Sequence, residues 1–448
     1  MKVPTHPWRR GWPKVQPKLD PQHFGQVFTP EAVIDFMCAL MSPGRSGAVL
    51  EPSCGDGAFL RRLAQCARGR AVVGVELDPR VCPPGAINED FLVYASARKR
   101  THKAFDTIIG NPPYVKFQDI LPGTKARLDS RLLDRRGNLY LHFIERCVRL
   151  LAPGGELIFI TPRDFIKLTG AVKLNRWLCE EGSFTHVVEL GDRPVFKGAT
   201  PNCMIWRFEK GRQDRAMKFA DLSKRGGLDA LGALSASGTP GALSALHAIQ
   251  WEDRECVLED GHLSFESARS EHEDAGLIRL SEIAVVKVGA ISGDDGIFTS
   301  VPGNREFVCS QTRTTGALRT FLWSEDDASP PAALQPFKDR LISRGVRKFN
   351  EDNWWRWGRR HYQSRAPRIY VNAKTRQEDP FFIHDCPDYD GSVLAVFPKE
   401  TLSRAQMEGL RDALNKVDWE GQGFVCDGRF LFSQRSLMNA KLPVSIFD

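Results

Sequence analysis

The sequence predicts an α/β protein: a doubly wound, Rossmann-like sheet in the first part of the chain, then a second, β-rich mixed α+β domain. Three observations carry this prediction. Between Ala48 and about Phe208, short apolar runs alternate with amphipathic stretches, as strands alternate with helices in an α/β sheet. From about Leu277 onward, short β-like runs dominate, punctuated by Gly, Pro and Asp. At 448 residues the chain is long enough for two domains, each burying its own core.

The strand candidates of the first part are AVLEP from Ala48, AVVGVEL from Ala71, DTIIGN from Asp106, GELIFITP from Gly155, THVVEL from Thr185 and NCMIWRF from Asn202. Residues 139–151 (LYLHFIERCVRLL) repeat apolar positions at helical spacing, and Pro153, Gly154 and Gly155 stop the helix. The stretch 222–248 is rich in Gly, Ala, Ser and Leu with few charges, and reads as an insertion or mobile loop. Beyond it, AVVKVGAISG, RIYVNAK and SVLAVFP are the clearest strands of the second domain. The expected division is a basic arm at 1–22, a catalytic domain at 23–275 and a recognition domain at 276–448.

Composition narrows the class. The chain is 42% hydrophobic and 26% charged, and no apolar run approaches the roughly 18 residues that span a bilayer, so a cytoplasmic protein without a membrane partner is expected. Eleven cysteines occur singly, without C-x-x-C pairs or Cys/His clusters, so neither a disulfide framework nor a metal is indicated. A net charge of +7 admits a polyanionic partner.

The most informative stretch is Asn111, Pro112, Pro113 and Tyr114, at the end of the apolar run FDTIIG. Two prolines fix φ and remove two N–H donors, so the segment continues neither a helix nor a central strand. A strand ending in Asn-Pro-Pro is also an ordinary turn signal. As a site, it offers the Asn111 side-chain oxygen and the Pro112 carbonyl to a planar amino group, and the Tyr114 ring to the face of the attached π system.

A second group of residues suits a cationic or amine-bearing ligand. EPSCGDGAF (51–59) lies between a strand and a helical stretch; Gly55 and Gly57 permit a tight turn, while Glu51 and Asp56 add negative charge that a phosphate loop would avoid. Glu76, in VELD, ends the next strand at the offset where a carboxylate binds ribose hydroxyls. Asp90 and Phe91 pair an acceptor for an exocyclic amine with a ring that can stack, although each alone also reads as a helix cap or a core residue.

In order, FGQVFTP (24–30), EPSCGDGAF, VELD, EDF and NPPY resemble the motifs of the S-adenosylmethionine-dependent amino-methyltransferases of DNA, in the gamma-ordered, TaqI-like N6-adenine class of restriction-modification systems. RPVFKGATPNCMIW adds Phe196 at that class's target-stacking aromatic, and VGAISGDDGIF and GRFLFSQRSLMNAKLP echo its recognition region. GNLY (137–140) departs from it, lacking an acidic residue before LY. The resemblance implies that Phe28, Thr29, Pro30, Glu51, Pro52, Cys54, Gly55, Asp56, Glu76, Leu77, Asp90, Phe91 and Asn111 hold S-adenosyl-L-methionine. It implies that Asn111, Pro112, Pro113 and Tyr114 are catalytic, with Tyr114 and Phe196 stacking on a flipped-out adenine. The implied activity is methyl transfer to adenine N6 in double-stranded DNA, by a monomeric modification enzyme with a cognate restriction endonuclease or by an orphan methylase.

DNA contacts are expected from Arg344, Arg347, Lys348, Arg356, Arg359 and Arg360, which are interleaved with Trp354, Trp355, Trp357 and Tyr362. The opposing reading is a solvated basic face over a tryptophan core. Arg9, Arg10, Lys14 and Lys18 of the arm are expected to add nonspecific phosphate contacts. The rival functions are methylation of a protein glutamine or an RNA base, and a recognition or methylase subunit of a larger defence complex.

Overall fold

The computed structural model describes residues 29–101, 104–133, 137–191, 202–222, 249–267, 276–324, 329–420, 422, 424–426 and 429–444. The chain divides into two compact units, Met1–Glu266 and Ser267–Asp448.

In the first unit the strands are β1 (Val49–Glu51), β2 (Val72–Glu76), β3 (Ile87–Asn88), β4 (Phe105–Gly110), β5 (Leu151–Pro162), β6 (Gly182–Gly191), β7 (Cys203–Lys210), β8 (Ala216–Asp221), β9 (Glu252–Glu259) and β10 (His262–Ser267). They form one ten-stranded sheet in the order β3-β2-β1-β4-β5-β7-β6-β8-β9-β10. Strands β3, β2, β1, β4 and β5 pair in parallel, whereas β7 runs antiparallel to both β5 and β6. From β1 the chain moves outward to β2 and β3, then returns to the other side of β1 to lay down β4 and β5. The strand order therefore reverses between β1 and β4, and ligands bind open α/β sheets at the carboxyl ends of the strands beside such a point.

Its α-helices among the described residues are α1 (Glu31–Ala39), α2 (Ala58–Cys66), α3 (Phe91–Thr101), a one-turn α4 (Pro122–Lys125), α5 (Leu139–Leu150) and α6 (Val172–Glu181). The alternation of side chains along β5 separates two cores. Leu157 and Phe159 pack with residues of α3, α5 and α6, while Ile158 and Ile160 pack with residues of α1 and α2. All four are fully buried, each contributing roughly 1.5–3 kcal/mol of burial free energy. This double burial is why the run LIFI shows no polar alternation.

All six strands expected in this part are present, and the helix expected at 139–151 spans Leu139–Leu150. On the far side of β6 the sheet continues through β8, β9 and β10, for which the sequence predicts no strands. The hairpin between β9 and β10 turns at Asp260 (φ 52°) and Gly261 (φ 82°). Most of the 222–248 stretch lies outside the described residues.

In the second unit, the runs read as AVVKV, RIYVNAK and SVLAVFP become neighbours in one four-stranded sheet. Its order is Ala284–Val288, Val393–Pro398, Ile369–Asn372 and Phe381–Ile383, and every pairing is antiparallel. The helix Arg404–Asn415 buries Met407, Leu410 and Leu414 in the same core as Val286, Ile369 and Val396 of this sheet. A separate aromatic core gathers Phe298, Phe307, Phe321, Trp323, Trp354, Trp355 and Trp357.

Candidate active site

The acidic glycine loop follows β1 and the Asn-Pro-Pro-Tyr corner follows β4, so the two lie on adjacent strands at the reversal point. They are joined directly. The Ser53 hydroxyl donates to the Asn111 carbonyl at 3.1 Å. Gly110 comes so close to Glu51 that a Cβ there would stand 2.3 Å from Oε1. Asn111 is oriented from a third segment, its Nδ2 donating to Thr29 Oγ1 at 3.1 Å. Pro30, next to Thr29, starts α1 by accepting from the backbone N–H groups of Val33 and Ile34.

Tyr114 is pinned at its far end, where its hydroxyl donates to the Ile160 carbonyl of β5 at 2.9 Å. Its ring meets Tyr140 edge-on, with centroids 6.1 Å apart at 79°. Tyr140 in turn donates to the Asp164 carboxylate at 2.6 Å. Burial raises the ionisation of both phenols well above the ordinary range, so both remain neutral donors.

In the glycine loop, Gly55 (φ 52°) and Gly57 (φ 82°) adopt left-handed conformations that favour glycine, and Gly57 caps α2. Glu76 is held by two backbone donors, Gly55 N–H at 2.8 Å on Oε2 and Asp78 N–H at 2.8 Å on Oε1. Each carboxylate oxygen has a further lone pair with which to accept from a ligand hydroxyl. Glu51 is completely buried, and its Oε2 accepts no hydrogen bond from any described residue. Burial, opposed by the Ser53 N–H, pushes its carboxyl well above the usual carboxylate range. Pro52 and Cys54 are buried beside it, Leu77 is half-buried, and Asp56 is exposed.

Asp90 and Phe91 occupy the positions that each would hold for structural reasons. Asp90 caps α3, accepting from Leu92 N–H at 2.9 Å on Oδ1 and from the Thr124 hydroxyl at 2.8 Å on Oδ2. Phe91 is 2% exposed, with its ring centroid 4.7 Å from that of Phe143. Phe28, Phe196 and residues 1–22 lie outside the described residues. Ser53, Thr124, Tyr140 and Asp164 were not singled out from sequence. Ser53 and Tyr140 sit inside motifs quoted above, whereas Thr124 and Asp164 had no local signal.

In the basic stretch of the second unit, Arg344 departs from the expected role. It is buried, and its guanidinium donates to the carbonyls of Leu341, Ser292, Trp354 and Arg356. Burial lowers its pKa to about 10. It braces the loop and presents no charge to solvent. Arg356 is half-buried over Trp355, and Arg360 donates to the Ser324 carbonyl at 2.8 Å while lying over Trp323. Arg347, Lys348 and Arg359 are exposed. Trp354, Trp355 and Trp357 are buried, so the tryptophans form a core beneath a basic face.

Residues 86–196 match the Eco57I restriction-modification methylase family. Among curated proteins, the type II methyltransferase M.TthHB8I of Thermus thermophilus is 36% identical over 219 residues, which is 46% of this chain and 49% of that protein. The type II methyltransferase M.HincII of Haemophilus influenzae is 30% identical over 194 residues, 42% of this chain and 38% of that protein. The chain thus spans about half the length of these relatives, or less. In fold it is similar to the type IIL restriction-modification enzyme MmeI, solved in complex with DNA, at a TM-score of 0.57 and 13% identity over 90% of this chain and 62% of that one.

S-adenosyl-L-methionine is the cofactor that these methyltransferase matches support. The residues present fit it: an acidic, glycine-turned loop without a lysine, a carboxylate fixed at the end of β2, and a buried Glu51 oxygen with acceptor capacity to spare. By its motifs, its strand order and its sequence relatives, the first unit resembles the gamma-class, S-adenosylmethionine-dependent methyltransferases of restriction-modification systems.

Proposed function

We propose that this chain is a site-specific DNA adenine methyltransferase acting on N6 of an adenine flipped out of duplex DNA. It would serve as the modification enzyme of a restriction-modification system or as an orphan methylase. The observation that carries this reading is the direct join between corner and cofactor loop, Ser53 Oγ to the Asn111 carbonyl at 3.1 Å. A group that grips a planar amine is thereby fixed beside a loop suited to a cationic nucleoside.

S-adenosyl-L-methionine supplies an already activated methyl group, so the protein's task is alignment and the preparation of a nucleophile. Adenine N6 is a weak nucleophile because its lone pair is delocalised into the ring. Two hydrogen bonds from N6, to the Asn111 side-chain oxygen and the Pro112 carbonyl, favour a pyramidal nitrogen and strengthen as positive charge develops there. The Thr29 contact to Nδ2 sets the rotation of the Asn111 amide. Extruding the base costs a few kcal/mol. Stacking on Tyr114 and Phe196, at about 1–3 kcal/mol per base, offsets much of that.

Asn111→Ala is expected to keep DNA binding while losing methyl transfer by orders of magnitude in a tritiated-methyl assay; near-normal turnover removes the assignment. Adenine as the target is tested by finding N6-methyladenine in duplex DNA of an expressing host. Product on RNA or on a protein glutamine instead would move the chain to a rival class. The same reading places the chain in the cytoplasm as a monomer, with a cognate endonuclease as its partner in the restriction-modification case. Among the described residues no helix is long and apolar enough to cross a membrane.

A further inference from the structure

We infer that one strip of the second unit, formed by Lys287, Val346, Arg347, Lys348, Arg359 and Tyr362, is the face that meets duplex DNA, with Val346 and Tyr362 discriminating among base pairs. This rests on the reading of the chain as a DNA methyltransferase and adds the specificity-determining side chains. The strip is contiguous. Ile291 and Arg359 form an isolated antiparallel bridge, exchanging backbone hydrogen bonds of 2.8 and 3.0 Å. At one end, Lys287 Nζ lies 5.3 Å from the Tyr362 ring centroid, and that ring packs edge-on against Phe397 at 5.4 Å. At the other end, Val346 beds down on two glycines. A Cβ at Gly358 would fall 2.3 Å from Val346 Cγ2, and one at Gly293 would fall 2.8 Å from it.

Val346 and Tyr362 are nevertheless 46% and 52% exposed, two of only five exposed large hydrophobic side chains among the described residues. Both lie within the most basic stretch of the second unit. Arg344 fixes their surroundings from below through its bonds to the Ser292, Trp354 and Arg356 carbonyls. The charge of the strip is net positive. Among the described residues no carboxylate pairs with Arg347, Lys348 or Arg359, whereas the adjacent Asp294 is bonded by Arg340 at 2.7 Å and Asp295 lies 3.6 Å from Arg319. A basic strip with exposed apolar side chains suits the major groove, which is roughly 12 Å wide. In that groove cations on the flanks reach phosphates, while apolar groups meet base edges and the thymine methyl.

The test uses the full chain and two duplexes of equal length and composition: one carrying the sequence around methylated adenines mapped in host DNA, the other scrambled. Lys348→Gln and Arg359→Gln should each flatten the log–log salt dependence of binding by about 0.9. Tyr362→Ala and Val346→Ser should leave that slope unchanged and lower the preference for the mapped duplex by about tenfold or more. Unchanged slopes and an unchanged preference overturn the strip, even if the chain methylates adenine normally. Absence of N6-methyladenine overturns the functional reading instead, and the salt slopes, measurable on the scrambled duplex alone, still decide whether the strip meets DNA. Slopes that respond on single-stranded RNA but not on duplex DNA overturn the choice of partner.

Discussion

Glu51 concentrates the conflict between folding and binding at a single side chain. Its carboxyl is fully buried, with its ionisation raised mainly by burial and further by Glu76. The folded-state pKa therefore lies above that of the unfolded chain, and the folded state holds the proton over the interval between them. Stability in the absence of ligand must fall as pH rises through that interval, since the charged form is the one burial penalises. Glu51→Gln is expected to abolish this fall and to raise stability at pH 8 by about 1–3 kcal/mol, with no such gain below pH 4. The same variant should lose S-adenosylmethionine affinity. Thermal melts across pH with isothermal titration check both, and a variant no more stable at pH 8 than the parent sinks the account. Glu51 stood out in the sequence because it follows an apolar strand and opens a glycine turn, a place where an acidic side chain is unusual. Ser53, Thr124 and Asp164 were not legible, since a lone hydroxyl or carboxylate acquires a partner only when distant strands are brought side by side.

At the scale of elements, the site depends on how closely β1 and β4 approach at their ends. Gly110 is the last residue of β4, and a methyl group there would strike the Oε1 of the fully buried Glu51. Gly110→Ala should cost about 1–3 kcal/mol through overpacking, seen as a lower urea midpoint, and should weaken cofactor binding with it; wild-type values in both measurements would show that the strand ends are free to separate. Six of the seven strands up to β7 were legible because each carries a short, mostly apolar and mostly buried run. Strands β9 and β10 were not read, although Asp260-Gly261 is a hairpin dipeptide with both residues at positive φ. Their polar, partly exposed pattern hid them: β9 (EDRECVLE) buries only alternate positions near its start. Strand β3, two residues long with both exposed, carried no periodicity at all.

For the whole molecule, each unit has its own cores. The first holds the two that flank the ten-stranded sheet, and the second holds the sheet-and-helix core and the aromatic cluster. Heat unfolding is therefore expected to depart from two-state behaviour, with a calorimetric enthalpy larger than the van't Hoff value. S-adenosylmethionine should raise the transition of the first unit alone. A single scan with equal enthalpies, shifted as one by the ligand, would show that the units unfold together. The second unit was legible as β-rich but its chemistry was misread at Arg344, because a basic residue in a basic run gives no sign that backbone carbonyls will enclose it.

The brevity of β3 bears on the rim of this wide sheet. A long, flat outer strand invites another chain to extend the ladder, and ordered aggregates grow from such rims. Here the rim beside β2 ends in Ile87 and Asn88, with the Asn88 amide already donating to the Glu76 carbonyl at 2.9 Å. Two residues provide about 7 Å of ladder, too little to seat an incoming strand. On this side the sheet is closed to polymerisation by being cut short.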